Sequence, residues 1–467
     1  MSSVDYRQAV GGSAWRDDEW KAFIEGLSRR RPKVLRWRAD LPATIPNPTW
    51  SGEPVPWYPI ARYASDPAGS DHRATRTLEY AAGSFYSQDA GSLLALAACG
   101  ADTGELEGKL VCDLCAAPGG KASGLLEGIG QTGFLLAAEP IRSRHAALAF
   151  NLARVGVDRY AIAGADPEIL AQTIPGVFDL VLVDAPCSGQ AMMARGKQSA
   201  TSVTMRSIES NAMRQQRILR AASELLRPGG QLIYSTCTFA IAENESQVRF
   251  MIDNLNLQPR SVERLHSHAS ADAPASYRLW PHRDDCDGAF AASLEKPLTS
   301  LPSRPSGGPT KPGKWRSHDG ELRDHVRPSP ECRTLLMKLF GQDNVDNLAI
   351  ARDDWIIDCY GPGVPDWLDR IDVVGPECLH RTGTTWKPSH AAALRRHSQA
   401  QCPQRLELDD ARAIRFASGQ SFAMDSDPGW HVATWSGQPM GWIKIVEGTG
   451  KNHLPTYARL AIESKTN

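Results

Sequence analysis

The sequence lacks a charge excess of either sign. Its 467 residues hold 52 lysines and arginines against 53 aspartates and glutamates, so the formal net charge is -1 and the isoelectric point lies near 6.9. This balance excludes a chain that binds nucleic acid through general basicity, and only a local basic patch would serve instead. Long apolar runs are also missing, and the start of the chain has no basic segment followed by an apolar core. We therefore expect a cytoplasmic protein that does not span a membrane.

Common cofactor and metal motifs are missing as well. Neither the GxGxxG dinucleotide turn nor the GxxxxGK[ST] phosphate loop occurs. The ten cysteines are irregularly spaced, and the CxxC formed by Cys112 and Cys115 has no second pair or nearby histidine pair. We therefore expect reduced thiols and no metal site. We also expect a monomer.

The composition is that of a folded protein with more than one domain. Hydrophobic residues make up 42% and charged residues 22% of the chain, and its length suggests about three domains. A segment rich in proline, glycine and serine at 299–320 is a candidate linker. We predict an N-terminal α/β extension at 1–100, a main domain at 101–298, a linker and middle region at 299–386, and a small β-rich domain at 387–467.

Strands and helices alternate along the main domain. Apolar, β-branched runs such as Phe178–Val183 are typical of strands buried on both faces of a parallel sheet. The predicted strands are 109–114, 133–138, 160–163, 178–183 and 231–235, with a late edge strand at 289–294. The predicted helices are 121–129, 141–155, 207–226 and 243–254. This order predicts an α/β fold with a Rossmann-like, doubly wound parallel sheet.

The flanking regions carry weaker patterns. Residues 1–19 are polar and are predicted to be irregular, with a helix following at 20–27. Six prolines over 42–59 predict an extended connection without a regular element. Two alternating runs at 429–435 and 440–446 predict a β-hairpin.

A basic segment lies within 29–38. Its cations have no acid among them and interleave with Trp37; they are Arg29, Arg30, Arg31, Lys33, Arg36 and Arg38. Such a run forms either a solvated charged face or a stripe that contacts phosphates, with Trp37 able to stack on a base. The run by itself favours neither interpretation.

The first predicted strand leads into a glycine-bearing turn, Cys115-Ala116-Ala117-Pro118-Gly119-Gly120-Lys121. Small residues let a ligand approach the backbone, and the helix that follows offers free N–H groups to a carboxylate or phosphate. The second strand is followed by Glu139, where an acid can bind both hydroxyls of a ribose. The third is followed by Asp166, which can accept a hydrogen bond from an adenine amino group. S-adenosylmethionine, with a ribose, an adenine and a carboxylate, fits such a site.

Two cysteines follow two other strands. Asp184 and Cys187 come just after the strand at 178–183, and Cys237 comes just after the strand at 231–235. Because the carboxyl ends of parallel strands meet at one edge of a sheet, we expect both thiols to face one pocket. Methylation at C5 of a pyrimidine needs a thiolate that adds to C6, and a second thiol can assist the later elimination while Asp184 hydrogen-bonds the base. These residues alone leave open which thiol attacks.

Four segments carry a family resemblance. They are CAAPGGK at 115–121, DAPCSG at 184–189, RPGGQLIYSTCTF at 227–239 and ENE at 243–245. Together they resemble the Nol/Nop/Sun family of RNA cytosine-C5 methyltransferases, over residues 80–296. The tail GWIKIVEGTGKNHLP at 441–455 is similar to the PUA-like RNA-binding domain of the bacterial RsmF subgroup, which methylates 16S ribosomal RNA.

The resemblance implies a function and a role for each site residue. It implies that Cys237 is the nucleophile, that Cys187 is needed for product release, and that Asp184 belongs to the same site. Contact with S-adenosylmethionine is implied for 115–121, Glu139, Asp166 and Asp184. The implied substrate is a cytosine of ribosomal RNA, or of the small ribosomal subunit, that leaves its base stack. The basic segment at 29–38 and the C-terminal domain would then hold the RNA backbone.

Some positions depart from the family pattern, and other functions stay open. Gln190 stands where glutamate is usual, Ala194 where an aromatic residue is common, and Gly91 where a second serine is usual. These departures affect the prediction of the target nucleotide more than the prediction of the reaction. The alternatives are a transfer-RNA cytosine-C5 methyltransferase, an amino-group methyltransferase, and a ribosome-assembly factor that binds ribosomal RNA without catalysis. Amino-group enzymes normally hold the base with an aromatic side chain at the position of Cys187.

Overall fold

The computed structural model describes most of the chain. The described residues are 3–12, 15–29, 31–41, 51–64, 74–196, 203–298, 315–316, 322–323, 329–340, 349–351, 356–360, 364–396 and 402–462. Arg30, the first part of the predicted connection at 42–50 and most of the predicted linker at 299–320 lie outside them. Within these ranges, no helix combines the length and the apolar character needed to cross a membrane.

The N-terminal region contains helices and a small sheet. In chain order its elements are α1 (Ser3–Ala9), α2 (Asp17–Gly26), β1 (Val34–Trp37), β2 (Ser51–Val55), β3 (Tyr58–Ala64), α3 (Leu78–Ala81) and β4 (Phe85–Gln88). The strands form an antiparallel sheet in the order β2-β3-β1-β4. The irregular structure predicted at 1–19 is wrong, because α1 is a helix and the rings of Tyr6 and Trp15 pack against Trp20 and Phe23 of α2.

The extended connection predicted at 42–59 is wrong from Ser51 onward. There β2 and β3 form a hairpin around Pro56 and Trp57, with Val55 paired to Tyr58. Pro54 is accommodated because β2 is an edge strand, where a missing backbone N–H removes no hydrogen bond to a neighbouring strand.

The basic segment at 29–38 packs inward. Arg36 has no exposed surface; its guanidinium pairs with the carboxylate of Glu127 and donates a 2.7 Å hydrogen bond to Ser123 Oγ. Arg38 lies 2.7 Å from Asp40. The interpretation of this segment as a phosphate-contacting stripe is wrong for four of its members, which are all buried: Arg31, Arg36, Trp37 and Arg38.

The central region alternates helices and strands. In chain order its elements are α4 (Leu93–Cys99), β5 (Leu110–Asp113), α5 (Gly120–Gly128), β6 (Phe134–Ala138), α6 (His145–Val155), β7 (Tyr160–Ala163), α7 (Pro167–Thr173), β8 (Phe178–Asp184), α8 (Met205–Leu225), β9 (Leu226–Thr236), α9 (Glu245–Leu255), β10 (Gln258–Pro259), β11 (Ser276–Leu279) and β12 (Ala289–Glu295). Strands β5 to β9 are parallel, in the spatial order β7-β6-β5-β8-β9. The predicted Rossmann-like, doubly wound sheet is therefore confirmed.

The edge strand predicted at 289–294 is wrong in its position. Strand β12 pairs antiparallel with β9 and also with β10 and β11, so it is an interior strand. All of its residues except Glu295 are buried, as an interior strand requires.

The core lies on both faces of the central sheet. Alternate residues of β8 show this, because Leu180 and Leu182 belong to one apolar cluster while Val181 and Val183 belong to the other. The uninterrupted apolar run therefore reflects burial from two sides, and β8 places its final residue, Asp184, at the rim of the core.

A buried ion pair joins α9 to β11. Arg278 Nε lies 2.5 Å and its Nη2 2.6 Å from the two carboxylate oxygens of Glu245, and the side chains are 7% and 0% exposed. Removing one partner leaves an uncompensated buried charge, so we expect Glu245→Ala to lower the free energy of unfolding by about 3–5 kcal/mol.

Urea denaturation measures this loss. The matched control is Glu295→Ala, which breaks the Arg260–Glu295 pair, whose side chains are 43% and 34% exposed. That change is expected to cost less than about 1 kcal/mol. Equal losses for the two variants would contradict the role given to the buried pair.

The region after residue 298 adds further sheets. Its elements are β13 (Trp315–Arg316), β14 (Leu322–Arg323), α10 (Pro330–Phe340), β15 (Ala349–Ala351), β16 (Ile356–Cys359), β17 (Val373–Val374), β18 (Glu377–Thr382), β19 (Thr385–Pro388), α11 (His390–Ala393), β20 (Arg405–Glu407), α12 (Asp410–Ala417), β21 (Phe422–Ala423), β22 (Gly429–Trp435), β23 (Gln438–Val446) and β24 (Thr449–Asn452). Strands β15, β16, β18 and β19 form one sheet, and β20 to β24 form another. The predicted limit between residues 386 and 387 falls inside β19.

Two pairings in this region matter for the whole molecule. The hairpin predicted at 429–446 is confirmed, with β22 and β23 joined by Ser436 and Gly437, whose φ angles of 47° and 72° suit a tight turn. Strand β17 pairs antiparallel with β7, so it extends the central sheet beyond β7.

Candidate active site

The candidate site lies where the parallel strands end. Moving outward from β5, the chain first builds β6 and β7 on one side and then β8 and β9 on the other, so the order reverses between β5 and β8. Ligands of such sheets bind beside the carboxyl ends of the strands at this reversal. Asp113, Asp184 and Thr236 are the last residues of β5, β8 and β9.

The structure brings the two predicted thiols together. Cys187 Sγ and Cys237 Sγ are 3.4 Å apart, and both side chains are partly exposed. Backbone contacts continue past the strands: Ala185 N donates to Ser235 O at 2.8 Å, and Ala191 N donates to Cys237 O at 3.0 Å. The two loops therefore run side by side, with one thiol on each.

The two thiols differ in acidity. The hydrogen bond between them raises the pKa of Cys187, as does burial. The same hydrogen bond lowers the pKa of Cys237; burial and the charge of Asp184 oppose this, while the charge of Lys121 adds to it. Ionisation is therefore favoured at Cys237 over Cys187, and the thiolate is the reactive form of a cysteine.

Lys121 and Asp184 form an ion pair beside Cys237. Lys121 Nζ lies 2.8 Å from Asp184 Oδ2. Burial lowers the pKa of Lys121, but the carboxylate of Asp184 outweighs this and the net direction is upward. The lysine of the glycine-bearing turn therefore stays charged next to the thiolate.

Lys121 should tune the reactivity of Cys237. In Lys121→Met the pKa of Cys237 is expected to rise, so the pH midpoint of its alkylation by iodoacetamide should move upward. Peptide mass spectrometry of the alkylated protein over a pH series measures this midpoint. Lys121→Arg retains the charge and is the control; an unchanged midpoint in Lys121→Met would contradict the electrostatic role.

The glycine-bearing turn packs closely against other parts of the protein. Gly119 has φ 111° at the N-cap of α5, and a Cβ there would lie 3.0 Å from Asn151 Cβ. A Cβ on Gly120 would lie 3.2 Å from Gln88 Oε1 and from the ring of Tyr86. The two glycines therefore let α5 begin close to Asn151, Gln88 and Tyr86, and a helix N-terminus offers free N–H groups to an anionic group.

Asp113 is a site residue that the sequence prediction missed. It ends β5, is 1% exposed, and its Oδ1 accepts from Cys115 N at 3.2 Å. Its Oδ2 has no hydrogen-bond partner within the described structure. Burial, with the charge of Asp184, raises the pKa of Asp113 to about 7. The sequence did contain a signal for Asp113, namely an acidic residue at the end of an apolar strand.

The next two strand ends place Glu139 and Asp166. Glu139 accepts hydrogen bonds from Ile141 N at 3.0 Å and from Arg144 Nη1 at 2.7 Å, and Arg144 Nη2 donates to Ala117 O at 2.6 Å. Glu139 is thereby tied to the glycine-bearing turn. Asp166 is the exposed N-cap of α7, and its side chain makes no capping hydrogen bond.

Polar residues of the segment 243–245 support both thiol loops. Glu243 is fully buried and accepts from Ser188 N at 3.0 Å, Ser188 Oγ at 2.5 Å and Gln215 Nε2 at 2.9 Å. Asn244 accepts from Thr236 Oγ1 at 2.6 Å and donates to Thr238 O at 2.9 Å. One segment therefore braces the loop of Cys187 and the turn of Cys237.

The strand order and the groups at the strand ends define a Rossmann-like methyltransferase fold. Residues 105–295 match the family described as 16S rRNA methyltransferase RsmB/F, and residues 403–460 match the methyltransferase RsmF PUA domain. The central and C-terminal regions of the chain therefore match the RsmB/F methyltransferase family, and the predicted family resemblance is confirmed.

Named bacterial proteins show the same similarity. Ribosomal RNA small subunit methyltransferase F of Erwinia tasmaniensis is 33% identical over 307 residues, which cover 62% of either chain. The proteins of that name from Aeromonas salmonicida and Aeromonas hydrophila are 29% and 28% identical, and the matches cover 87% and 94% of this chain and 85% and 92% of theirs.

Solved structures agree on the fold. A methyltransferase homologue from Pyrococcus horikoshii superposes with a TM-score of 0.54 at 23% identity, covering 63% of this chain and 95% of the other. NSun6 from the same organism, solved with SFG, gives a TM-score of 0.54 at 17% identity, covering 64% and 97%. These identities support a shared fold for the central region.

Proposed function

We propose that this protein methylates C5 of a cytosine in 16S ribosomal RNA, using S-adenosylmethionine and a covalent bond between Cys237 and C6 of the base. The observation that carries this proposal is the pair of thiols 3.4 Å apart beside the Lys121–Asp184 ion pair. The match to the RsmB/F family supports the RNA substrate.

The proposed reaction gives each group one task. The Cys237 thiolate adds to C6, and the electrons of the C5–C6 double bond then make C5 nucleophilic. Asp184 accepts a hydrogen bond from the base edge and orients the ring. Release requires a base that takes the C5 proton; the C5–H electrons re-form the C5–C6 double bond as the S–C6 bond breaks and its electron pair returns to Cys237 Sγ. Cys187, once it has lost its own proton, is the thiol positioned to act as this base.

The chain's own residues fit the cofactor. Asp113 offers to an ammonium group a buried oxygen that has no partner among the described residues, and the start of α5 at Gly120 offers backbone N–H groups to a carboxylate. Glu139 would take the ribose hydroxyls and Asp166 the adenine amino group. When bound, S-adenosylmethionine supplies the methyl group that C5 receives.

A basic and aromatic surface on β19 and β22–β24 is the proposed contact for the RNA backbone. Trp430 lies opposite Lys444, and Lys444 opposite Lys451, across three neighbouring strands. Lys444 Nζ is 5.3 Å from the Trp430 ring, which is 4.5 Å from that of His453. Burial and the charges of Lys387, Lys444 and Lys451 lower the pKa of His453 to about 4. Clustered cations beside stackable rings suit a phosphodiester chain.

This surface should make RNA binding sensitive to salt. Lys444→Gln and Lys451→Gln are each expected to weaken RNA binding and to reduce the slope of log K against log salt by about 0.7–0.9. Filter binding over a salt series measures the slope. Lys109→Gln, just before β5 at the opposite end of the sheet from the thiols, is the control. Unchanged slopes in the first two variants would remove this surface from RNA binding.

Nucleoside analysis tests the proposed function. The full-length protein is incubated with small ribosomal subunits and methyl-labelled S-adenosylmethionine, and the RNA is digested and analysed by mass spectrometry. We expect the label in 5-methylcytosine. Label in an N-methylated base would contradict the thiol chemistry, label only with transfer RNA would contradict the substrate, and no label with any RNA would indicate a non-catalytic factor.

A further inference from the structure

A buried amide lies between the two thiol loops. Gln190 begins a short 3-10 helix at Gln190–Arg195 and is fully buried. Its Oε1 accepts hydrogen bonds from Phe239 N and from Tyr6 Oη, each at 3.2 Å. Its Nε2 donates to Ser188 Oγ at 3.2 Å. One side chain therefore contacts both thiol loops and helix α1.

A few hydrogen bonds connect the two thiol loops beyond the sheet. The pairing of β8 with β9 ends at Asp184 and Ser235, before either thiol. Past that point the links include the 3.0 Å bond from Ala191 N to Cys237 O, the 2.7 Å contact between Ser188 Oγ and Thr238 Oγ1, and the Gln190 amide. Gln190 takes part in the third link and contacts Ser188 of the second, so its amide bears on the spacing of the sulfurs.

The N-terminal helices pack against the same loops. Phe23 of α2 meets Phe239 edge to face, with ring centroids 5.2 Å apart. Val10 and Phe23 share an apolar cluster with Ala191 and Phe239, and Cys237 packs against it. Burial raises the pKa of Tyr6, so its hydroxyl stays protonated and donates to Gln190.

We propose that Gln190 is a positioning residue that sets Cys187 against Cys237, and that Tyr6 of α1 holds its amide in place. Residues from the start of the chain then act in catalysis without touching the base. The positioning role of Gln190 in catalysis rests on the proposed function. The thiol geometry itself can be measured without RNA or cofactor.

Alkylation of Cys237 is the test that needs neither substrate. A loosened Cys187–Cys237 hydrogen bond destabilises the thiolate, so at neutral pH we expect Gln190→Met to slow alkylation by iodoacetamide about tenfold and Tyr6→Phe about threefold. The pH midpoint should move upward in both variants. Cys187, Lys121 and Asp184 are the titratable groups beside Cys237, and both substitutions leave them unchanged.

Controls separate positioning from general stability. Tyr457→Phe removes a hydroxyl from a side chain that is 67% exposed and should leave the midpoint unchanged. Gln190→Glu keeps the acceptor for Phe239 and Tyr6 and should restore most of the rate. If Gln190→Met does not fold, Tyr6→Phe, which removes only the hydroxyl oxygen, tests the proposal by itself. Wild-type midpoints in folded variants would overturn the proposal, whereas a wild-type protein that methylates no RNA would count against the proposed function only.

Discussion

Cys237→Ala is expected to lower methyl transfer by at least about 10³-fold and to abolish any covalent RNA complex, because burial raises the pKa of the neighbouring thiol, Cys187, and so disfavours its use as a substitute nucleophile. The hydrogen bond with Cys187 lowers the pKa of Cys237, and the charge of Lys121 adds to this effect. Turnover with labelled cofactor and gel analysis of denatured protein–RNA mixtures measure the two effects.

The control for this substitution is Cys378→Ala. Cys378 is a buried thiol in a separate apolar cluster and lies on β18, so its loss should leave turnover near the wild-type value. Turnover retained in Cys237→Ala, or a covalent complex that survives in it, would refute the assignment of the nucleophile.

Cys187→Ala is expected to lower turnover by at least about 100-fold while the covalent complex accumulates. The alanine leaves the Cys237 sulfur free to add to the base but removes the thiol that lies 3.4 Å away and assists elimination. A protein–RNA band that resists denaturation should therefore appear with this variant and not with the wild type.

The pH dependence of that band provides a further check. Cys187→Ala also removes the hydrogen bond that lowers the pKa of Cys237, so formation of the band should slow at neutral pH and recover as the pH rises. The double variant Cys187→Ala/Cys237→Ala should form no band. Normal turnover without a band in Cys187→Ala would exclude Cys187 from the reaction.

The sequence predicted those parts of the candidate site whose position depends on where a strand ends. Apolar runs locate β5 to β9, and parallel strands of one sheet bring their carboxyl ends together, so the meeting of Cys187 and Cys237 could be predicted. Which thiol attacks could not be predicted from the pattern. The difference in acidity between the two thiols depends first on their mutual hydrogen bond and then on the charges of Asp184 and Lys121, which lie on other segments of the chain.

Contacts between distant parts of the chain explain the failures. The sequence could not show that the cations of 29–38 pack inward, because the partner of Arg36, Glu127, is 91 residues away. The helix at Ser3–Ala9 is short and polar. The apolar cluster beside it includes Ala191 and Phe239, which are distant in sequence. The hydrogen bonds of the Gln190 side chain could not be predicted either, because they connect three separate segments of the chain.

Strand β17 bears on how far the catalytic unit can be isolated. It covers the outer edge of β7, and Tyr360, Trp367 and Leu368 pack into the cluster that contains Phe134 and Phe178. A fragment ending at residue 298 would therefore lose part of its own interior and expose a sheet edge, which favours aggregation. Residues up to 298 are therefore not a self-sufficient methyltransferase unit. A fusion to another RNA-binding protein must include the chain through Val374.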